Sequence, residues 1–389
     1  MKNIVILGSS GSIGRNAVES VKNLGEGYHV LALSVNSSTA LLLEQIKELK
    51  PEYVQVYDEK AWQEFKNICP SGTQLLPPGK EGLDMAASLE KADIVLNSVT
   101  GAVGFSPLLA ALRLGKNVAL ANKEPMVMAG ALFMQEAAKH GARILPVDSE
   151  PSAVFQSAAG IEPGHYDEEL SRIFLTASGG PFYDGKQKLE DVKPEQALKH
   201  PRWKMGPKIT IDSSTLMNKG LEMIEIMNMF GVPLSKIEVL IHPQSVIHSG
   251  VEFKDGAVIV QISWPDMRLP IQYALTWPER KPSLERPMDF FELARMDFAR
   301  PDFRRFRCLQ LALDAGNKGN VFPSALSAAN EIAVSLFLKG RILFTHIPVI
   351  VEKVLEQTKA AADFTLEAAV ETDRWARIKA EEAAKELSI

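Results

Sequence analysis

An α/β fold is expected from three features of the 389-residue chain. Strand and helix patterns alternate over residues 1–150, a glycine-rich turn joins the first strand to the first helix, and the pattern turns helical after Arg307. Alternation of this kind builds a doubly wound parallel sheet, because helices that connect parallel strands cover its faces. A Rossmann-like N-terminal sheet is therefore predicted, followed by a central α+β region with an open sheet and a C-terminal helical bundle. The length exceeds what one ordinary core supports, and the changes of pattern divide the chain at 1–150, 151–276, 277–306 and 307–389.

The elements read in order. Apolar strands are expected at Asn3–Leu7, His29–Ser34, Tyr53–Val56, Asp93–Asn97, Asn117–Ala121 and Arg143–Val147, with amphipathic helices such as Ile13–Leu24 and Ala40–Leu49 between them. After Glu150 come a strand at Ser171–Thr176, an extended segment over Ile237–Gly250, and a hairpin of Val251–Phe253 with Ala257–Ser263 around Asp255-Gly256. Pro278, Pro282, Pro287 and Pro301 mark a connecting stretch. Helices follow at Arg307–Ala315, Pro323–Leu338, Ile347–Thr358 and Leu366–Leu387.

Composition narrows the function. Net charge is −5, which argues against a nucleic-acid surface. No apolar run approaches the roughly 18 residues of a membrane helix. Cys69 and Cys308 are the only cysteines and offer neither metal-ligand spacing nor a disulfide framework. With no signal-peptide anatomy at Met1–Gly8, a soluble cytoplasmic protein is expected.

Gly8-Ser9-Ser10-Gly11-Ser12-Ile13-Gly14 follows a strand and opens a helix. The glycines permit a tight turn, and free amides at the helix start suit a pyrophosphate. Asn36-Ser37-Ser38 ends the second strand without an acid, which suits a 2'-phosphate better than a ribose hydroxyl; an ordinary polar loop is the alternative. Asn122 and Lys123 end another parallel strand, where ligands of such sheets bind.

Two acidic clusters lie about seventy residues apart. Asp148 and Glu150 point to the same side if the chain is extended. Glu222 shares a helix face with Asn218. Three carboxylates form a hard oxygen site of the sort Mg2+ or Mn2+ prefers. Ser213-Ser214 is expected to cap the helix of Asn218 and Lys219, forming a phosphate pocket. His200-Pro201-Arg202-Trp203-Lys204-Met205-Gly206 reads either as a lid carrying Trp203 and Met205 or as a loop pinned by a buried tryptophan. His242 and His248 lie on an extended stretch with no acid or cysteine nearby, and are expected to pack in a strand or subunit interface.

Across its whole length the sequence resembles the 1-deoxy-D-xylulose 5-phosphate reductoisomerases of the non-mevalonate isoprenoid pathway. Gly8–Gly14, Ala121–Glu124, Leu145–Glu150, Ser178–Phe182, His200–Gly206, Asp212–Glu222 and Ile241–Ser249 carry the resemblance. It implies an NADPH-binding domain, a catalytic and dimerisation domain, a linker and a helical domain, assembled as a homodimer. It implies that Asp148, Glu150 and Glu222 bind the divalent metal. Lys123, Ser149, Glu150, Ser178, His200, Ser213, Asn218, Lys219 and Glu222 would meet substrate, with Glu150, Lys123 and His200 catalytic. Ser10, Gly11, Ser12, Ile13, Asn122, Glu124 and Gly206 would line NADPH, to which the reading of the residues themselves adds Gly8 of the turn and Asn36, Ser37 and Ser38. The implied reaction converts 1-deoxy-D-xylulose 5-phosphate to 2-C-methyl-D-erythritol 4-phosphate, by retro-aldol cleavage and rejoining or by a direct 1,2-shift, followed by hydride transfer.

Two departures stand out. The family commonly has Gly-Lys/Arg-Asn where this chain has Asn36-Ser37-Ser38, so its grip on a 2'-phosphate should be weaker. Ser10 replaces the usual Thr and Pro125 the usual Ser. Competing readings are a simple NADP-dependent dehydrogenase with a structural metal and a non-catalytic nucleotide-sensing module. Neither needs three converging carboxylates beside a phosphate pocket.

Overall fold

The computed structural model describes residues 1–203 and 205–387. They form two compact units: Met1–Pro125 with Phe133–Ser152 and Asp266–Arg286, and Met126–Leu132 with Ala153–Pro265 and Pro287–Ile389.

The first unit is built on seven parallel strands: β1 (Lys2–Leu7), β2 (Tyr28–Val35), β3 (Tyr53–Val56), β4 (Gln74–Leu75), β5 (Ile94–Asn97), β6 (Asn117–Leu120) and β7 (Ile144–Pro146). Their order is β4-β3-β2-β1-β5-β6-β7. The chain moves outward from β1 to β4, then resumes on the other side of β1 at β5. That reversal makes a switch point at the carboxyl ends of β1 and β5. Ile4, Val5, Ile6 and Leu7 are all fully buried, as a parallel strand covered on both faces requires. The helix Ser12–Leu24 buries Gly14, Ala17, Val18 and Val21, a stripe of helical spacing. The six expected strands form. β4 is a seventh, and at two residues it is too short to show any alternation.

The segment Asp266–Arg286 returns to this unit with a helix at Arg268–Thr276. Lys2 Nζ donates to Leu275 O at 3.0 Å, Asn23 Nδ2 donates to Pro282 O at 3.1 Å, and the Arg143 guanidinium lies 4.7 Å from the Trp277 ring centre.

The second unit holds an open four-stranded sheet of β8 (Leu170–Ala177), β9 (Ile237–Ile241), β10 (Ile247–Phe253) and β11 (Val258–Ile262), in the order β11-β10-β8-β9. β8 and β9 are parallel; β10 is antiparallel to β8 and β11. The extended segment expected over Ile237–Gly250 is two strands. It breaks at a turn where Ser245 takes φ +53° and donates its N–H to His242 O. The hairpin around Asp255-Gly256 forms, with Gly256 at φ +88° and Phe253 N–H donating to Ala257 O at 2.9 Å.

The expected C-terminal helices form at Arg307–Lys318, Phe322–Leu338, His346–Gln357 and Leu366–Lys385. The helix Met217–Phe230 packs on Arg307–Lys318 at close range. A Cβ at Gly220 would sit 2.3 Å from Ala312 Cβ, so this crossing requires glycine. No helix among the described residues is long and apolar enough to cross a membrane.

Candidate active site

In the first unit the glycine loop is held from beneath. Gly8 and Ser9 donate their N–H groups to Ser34 O at 3.1 and 2.8 Å, and Gly8 N–H also reaches Ser34 Oγ at 3.0 Å. Ser9 Oγ donates to Gln45 Oε1 at 2.7 Å, and Gln45 Nε2 donates back to Ser9 O at 3.1 Å. A Cβ at Gly14 would lie 2.2 Å from Gly8 O, so only glycine lets the helix begin against the turn. No side chain caps that helix at Gly11, which leaves its first amides facing outward beside Ser10, Ser12 and Ile13. The sequence reading missed Ser34 and Gln45. Gln45 carried a signal: it is a polar residue on the buried face formed with Leu42 and Ile46.

Asn36, Ser37 and Ser38 are exposed at the end of β2. Asp58 donates its N–H to Asn36 O, but its carboxylate accepts from Ala61 N–H as the cap of the helix Glu59–Lys66. Asn122 is buried and donates to Val99 O at 2.6 Å and Gly101 O at 3.0 Å, fixing the turn after β5. Glu124 is buried in the first turn of the helix Glu124–His140.

Lys123 and Asp148 end neighbouring strands and form a buried ion pair, Nζ to Oδ2, at 2.5 Å. The chain from Ser149 is not extended, contrary to the expectation. It is the helix Ser149–Ser157, with Asp148 O accepting from Ser152 N–H and Asp148 Oδ1 from Ser149 N–H at 3.0 Å. A strand-to-helix turn ends β7 here, and Pro151 in the first turn is compatible with it. Asp148 and Glu150 therefore stand at a helix N-terminus, where the dipole favours negative charge. Ser149 Oγ donates to Glu150 Oε2 at 2.5 Å.

In the second unit β8 ends in Ser178-Gly179-Gly180. Both glycines have positive φ, and a Cβ at Gly180 would lie 2.7 Å from Ser213 O, so the turn packs directly on Ser213. Ser178 Oγ is 2.9 Å from His200 Nε2. His200 Nδ1 accepts N–H bonds from Trp203 at 2.9 Å and Arg202 at 3.2 Å. Because Nδ1 is an acceptor, the ring proton belongs on Nε2 and is donated to Ser178. Burial, and secondarily the Lys219 ammonium, lower the His200 pKa to about 4. The imidazole is therefore neutral near pH 7.

Ser213 and Ser214 do not cap the helix of Asn218. They end the preceding helix, Pro207–Ser214, where Ser214 Oγ donates to Ala197 O and Thr210 O and Ser213 O accepts from Leu216 N–H. Leu216, in the left-handed region at φ +59°, makes the turn into Met217–Phe230. Glu222 is fully buried there, with Asn218 Nδ2 and Lys219 Nζ each 2.5 Å from its oxygens. A carboxylate removed from water needs such partners.

Trp203 is half-buried, with its ring edge-on to buried His248 at a centroid distance of 6.1 Å. Met205 is half-buried and Gly206 exposed at the start of the helix Pro207–Ser214. Lys204 lies outside the described residues. His242 stacks on Phe298 at 4.9 Å and its Nδ1 is 2.9 Å from Asp297 O; His248 Nε2 is 3.1 Å from Ser263 O. Both histidines pack within this unit.

A nucleotide-binding loop at a sheet switch point, and a second unit with a half-buried histidine–serine pair and a buried, lysine-held carboxylate, define a dinucleotide-dependent oxidoreductase for a polar substrate. The chain belongs to the 1-deoxy-D-xylulose 5-phosphate reductoisomerase family. Models of that family match residues 4–130 (1-deoxy-D-xylulose 5-phosphate reductoisomerase), 144–230 (its C-terminal domain) and 262–379 (DXP reductoisomerase C-terminal domain). The chain is 54% identical to the 1-deoxy-D-xylulose 5-phosphate reductoisomerase of Elusimicrobium minutum, over 98% of this chain and 97% of that one. The solved reductoisomerase of Zymomonas mobilis in complex with NADPH superposes with TM-score 0.91 at 39% identity, over 99% and 100% of the two chains. A reductoisomerase solved with NADPH, fosmidomycin and magnesium gives 0.93 at 37% identity, over 99% and 98%.

Proposed function

We propose that the chain converts 1-deoxy-D-xylulose 5-phosphate to 2-C-methyl-D-erythritol 4-phosphate, using NADPH and one divalent cation. The observation that carries this is the near-complete superposition on a relative solved with NADPH, fosmidomycin and magnesium. The local chemistry agrees with it. Asp148, Glu150 and Glu222 are the proposed cation ligands, an all-oxygen donor set suited to Mg2+ or Mn2+. Lys123 beside Asp148 and Lys219 beside Glu222 supply the positive charge that such carboxylates need while buried.

The nucleotide takes its pyrophosphate at Ser10, Gly11, Ser12 and Ile13, with Gly8 making the turn. Asn36, Ser37 and Ser38 face the 2'-phosphate, while Asn122, Glu124 and Gly206 line the remainder. Ser149, Ser178, Ser213, Asn218 and Lys219 hold the substrate, chiefly through its phosphate. Lys123, Glu150 and His200 stand at the reacting carbons. When bound, NADPH supplies hydride and the cation a Lewis acid. Glu150 accepts and returns the substrate's hydroxyl proton. Neutral His200 donates from Nε2 and holds the ring plane fixed through its two N–H contacts. Trp203 and Met205 close over the substrate and exclude water. Retro-aldol cleavage and rejoining is the proposed rearrangement.

We further propose a cytoplasmic homodimer. β11 is an edge strand exposing Val258 and Ile259, a surface a second copy would cover. Cys69 and Cys308 are unpaired, in keeping with a reducing compartment.

The test is NADPH oxidation with the phosphorylated ketose, with and without Mg2+ or Mn2+. Metal-dependent turnover yielding the branched polyol phosphate is expected. Metal-independent reduction of an unphosphorylated carbonyl would identify a simple dehydrogenase, and absence of turnover a sensing module.

A further inference from the structure

A cavity lined by none of the residues assigned above lies within the second unit. It has a volume of about 810 Å³ and opens between the loop Gly185–Glu190, the segment Asp302–Cys308 and the start of the helix His346–Gln357. Five cations line it: Lys186, Lys188, Arg304, Arg305 and Arg307. The opposing carboxylates are Asp302 and Glu190. Asp302 Oδ1 is already engaged by the N–H groups of Arg304 and Arg305, each at 3.0 Å. This concentration of positive charge occurs in a chain whose net charge is −5.

The cations divide into two groups. Arg305 is structural, donating to Gln187 O and Phe182 O and so tying the loop to the segment. Lys186 pairs with Asp184, and Arg307 with Glu352. Lys188 and Arg304 are exposed and form no side-chain hydrogen bond or ion pair with described residues. Two twelve-residue helices, Arg307–Lys318 and His346–Gln357, also begin at the cavity, and neither has a side-chain cap at its first amides. Helix starts add partial positive charge, although His346 and Ile347 already donate their N–H groups to Leu343 O and Phe344 O, and Pro348 has none. Phe306, Phe344 and Pro348 supply apolar wall.

We propose that this cavity binds a small molecule carrying two or more phosphates. The volume falls in the range of small-molecule pockets, about 300–1,000 Å³, and far exceeds one phosphate. Two unpaired cations with two helix starts suit several anionic groups at once, and the apolar wall accommodates the organic part.

The probe is sodium tripolyphosphate, titrated calorimetrically into the 389-residue chain saturated with NADPH, which fills the glycine loop, at fixed ionic strength without added divalent metal. Asn218→Ala serves as the background, to remove binding at the proposed substrate-phosphate site. One equivalent of saturable binding should remain there. Adding Lys188→Ala and Arg304→Ala should weaken it at least tenfold, with unchanged melting temperature because both side chains are exposed. No saturable binding in the Asn218→Ala background, or unchanged affinity after the two further substitutions, would overturn the proposal.

Discussion

Ser178 Oγ and His200 Nε2 are 2.9 Å apart, and the opposite nitrogen of the same ring accepts the N–H of Trp203. One imidazole thus joins the turn after β8 to the segment proposed as a lid. Both contacts need the neutral Nε2–H tautomer, since protonating Nδ1 would replace an acceptor by a donor facing N–H groups.

His200 should therefore titrate far below an ordinary histidine. Its pKa is lowered from 6.5 to about 4 by burial, with Lys219 adding to the shift. The unfolded chain takes up the proton near pH 6.5, and the folded chain does not until about pH 4. The contribution to stability is complete above 6.5 and is lost as pH falls from 6.5 through 4. Across that window wild-type melting temperature should fall more steeply than that of His200→Asn. Proton NMR of the ring tests it directly, and a midpoint between 6 and 7 would refute the assignment.

The proposed cation ligands should separate by stability. Asp148→Asn, Glu150→Gln and Glu222→Gln should each reduce turnover at limiting Mn2+ to near background, because each removes an anionic ligand. Asp148→Asn and Glu222→Gln should also lower the melting temperature, Glu222→Gln the more because its carboxylate is fully buried. Each leaves a buried lysine, Lys123 or Lys219, opposite a neutral amide, and breaking a buried pair costs roughly 3–5 kcal/mol. Glu150, half-buried in the first turn of its helix and hydrogen-bonded by Ser149, should cost less. Near-normal activity in any one variant removes that residue from the ligand set.

Gly14→Ala should abolish tight NADPH binding and destabilise the first unit. The added methyl would meet Gly8 O at 2.2 Å, and backbone cannot yield as a flexible side chain can. Gly11→Ala, whose Cβ would stand 3.4 Å from Gly8 O, should be far milder. Nucleotide fluorescence titration and thermal melts of the two variants provide the comparison. Equal effects would show that the close approach is not what selects Gly14.

The parts of this structure that were legible in sequence are those with a local period or a local turn. β1 to β3 and β5 to β7 announce themselves as short apolar runs, and the helix Ser12–Leu24 as a stripe at 14, 17, 18 and 21. Asp148-Ser149-Glu150 misled because three residues carry no period: an apolar strand precedes them, and the helix they begin becomes visible only through Ser152 N–H returning to Asp148 O. Ser213-Ser214 misled in the opposite way. Hydroxyl residues favour helix starts, but Ser214 bonds back to Thr210 O, and the left-handed Leu216 separates the two helices. The return of Asp266–Arg286 to the first unit rests on contacts more than a hundred residues apart in sequence, such as Lys2 to Leu275, for which a single sequence gives no sign.

Trp203→Ala should raise KM and lower kcat while leaving the free protein nearly as stable. Trp203 is half-exposed and its ring meets His248 only edge-on, so little packing is lost without substrate. Its larger contacts belong to the closed state. A large fall in melting temperature with normal kinetics would instead identify a residue that merely pins the loop.

Cofactor selectivity tests the one place where this chain departs from its family in a charged contact. Asn36, Ser37 and Ser38 are exposed at the end of β2, and the Asp58 carboxylate beside them is turned to the cap of its own helix. Hydroxyl and amide donors can therefore receive a 2'-phosphate without an opposing acid, and NADPH should be preferred to NADH. The preference should be modest, because a charge-assisted contact contributes roughly 1.5–3 kcal/mol and its absence removes on the order of tenfold or more in discrimination. Ser37→Lys should restore that contact. Its ammonium would have no carboxylate within the triplet to neutralise it, so the added charge should act on the phosphate. The kcat/KM ratio for NADPH over NADH should rise about tenfold in the variant, mainly through a lower KM for NADPH, and the gain should shrink at high salt. A strongly selective wild type that Ser37→Lys does not change would assign the 2'-phosphate to another cation, with exposed Arg15 on the helix Ser12–Leu24 the first to substitute.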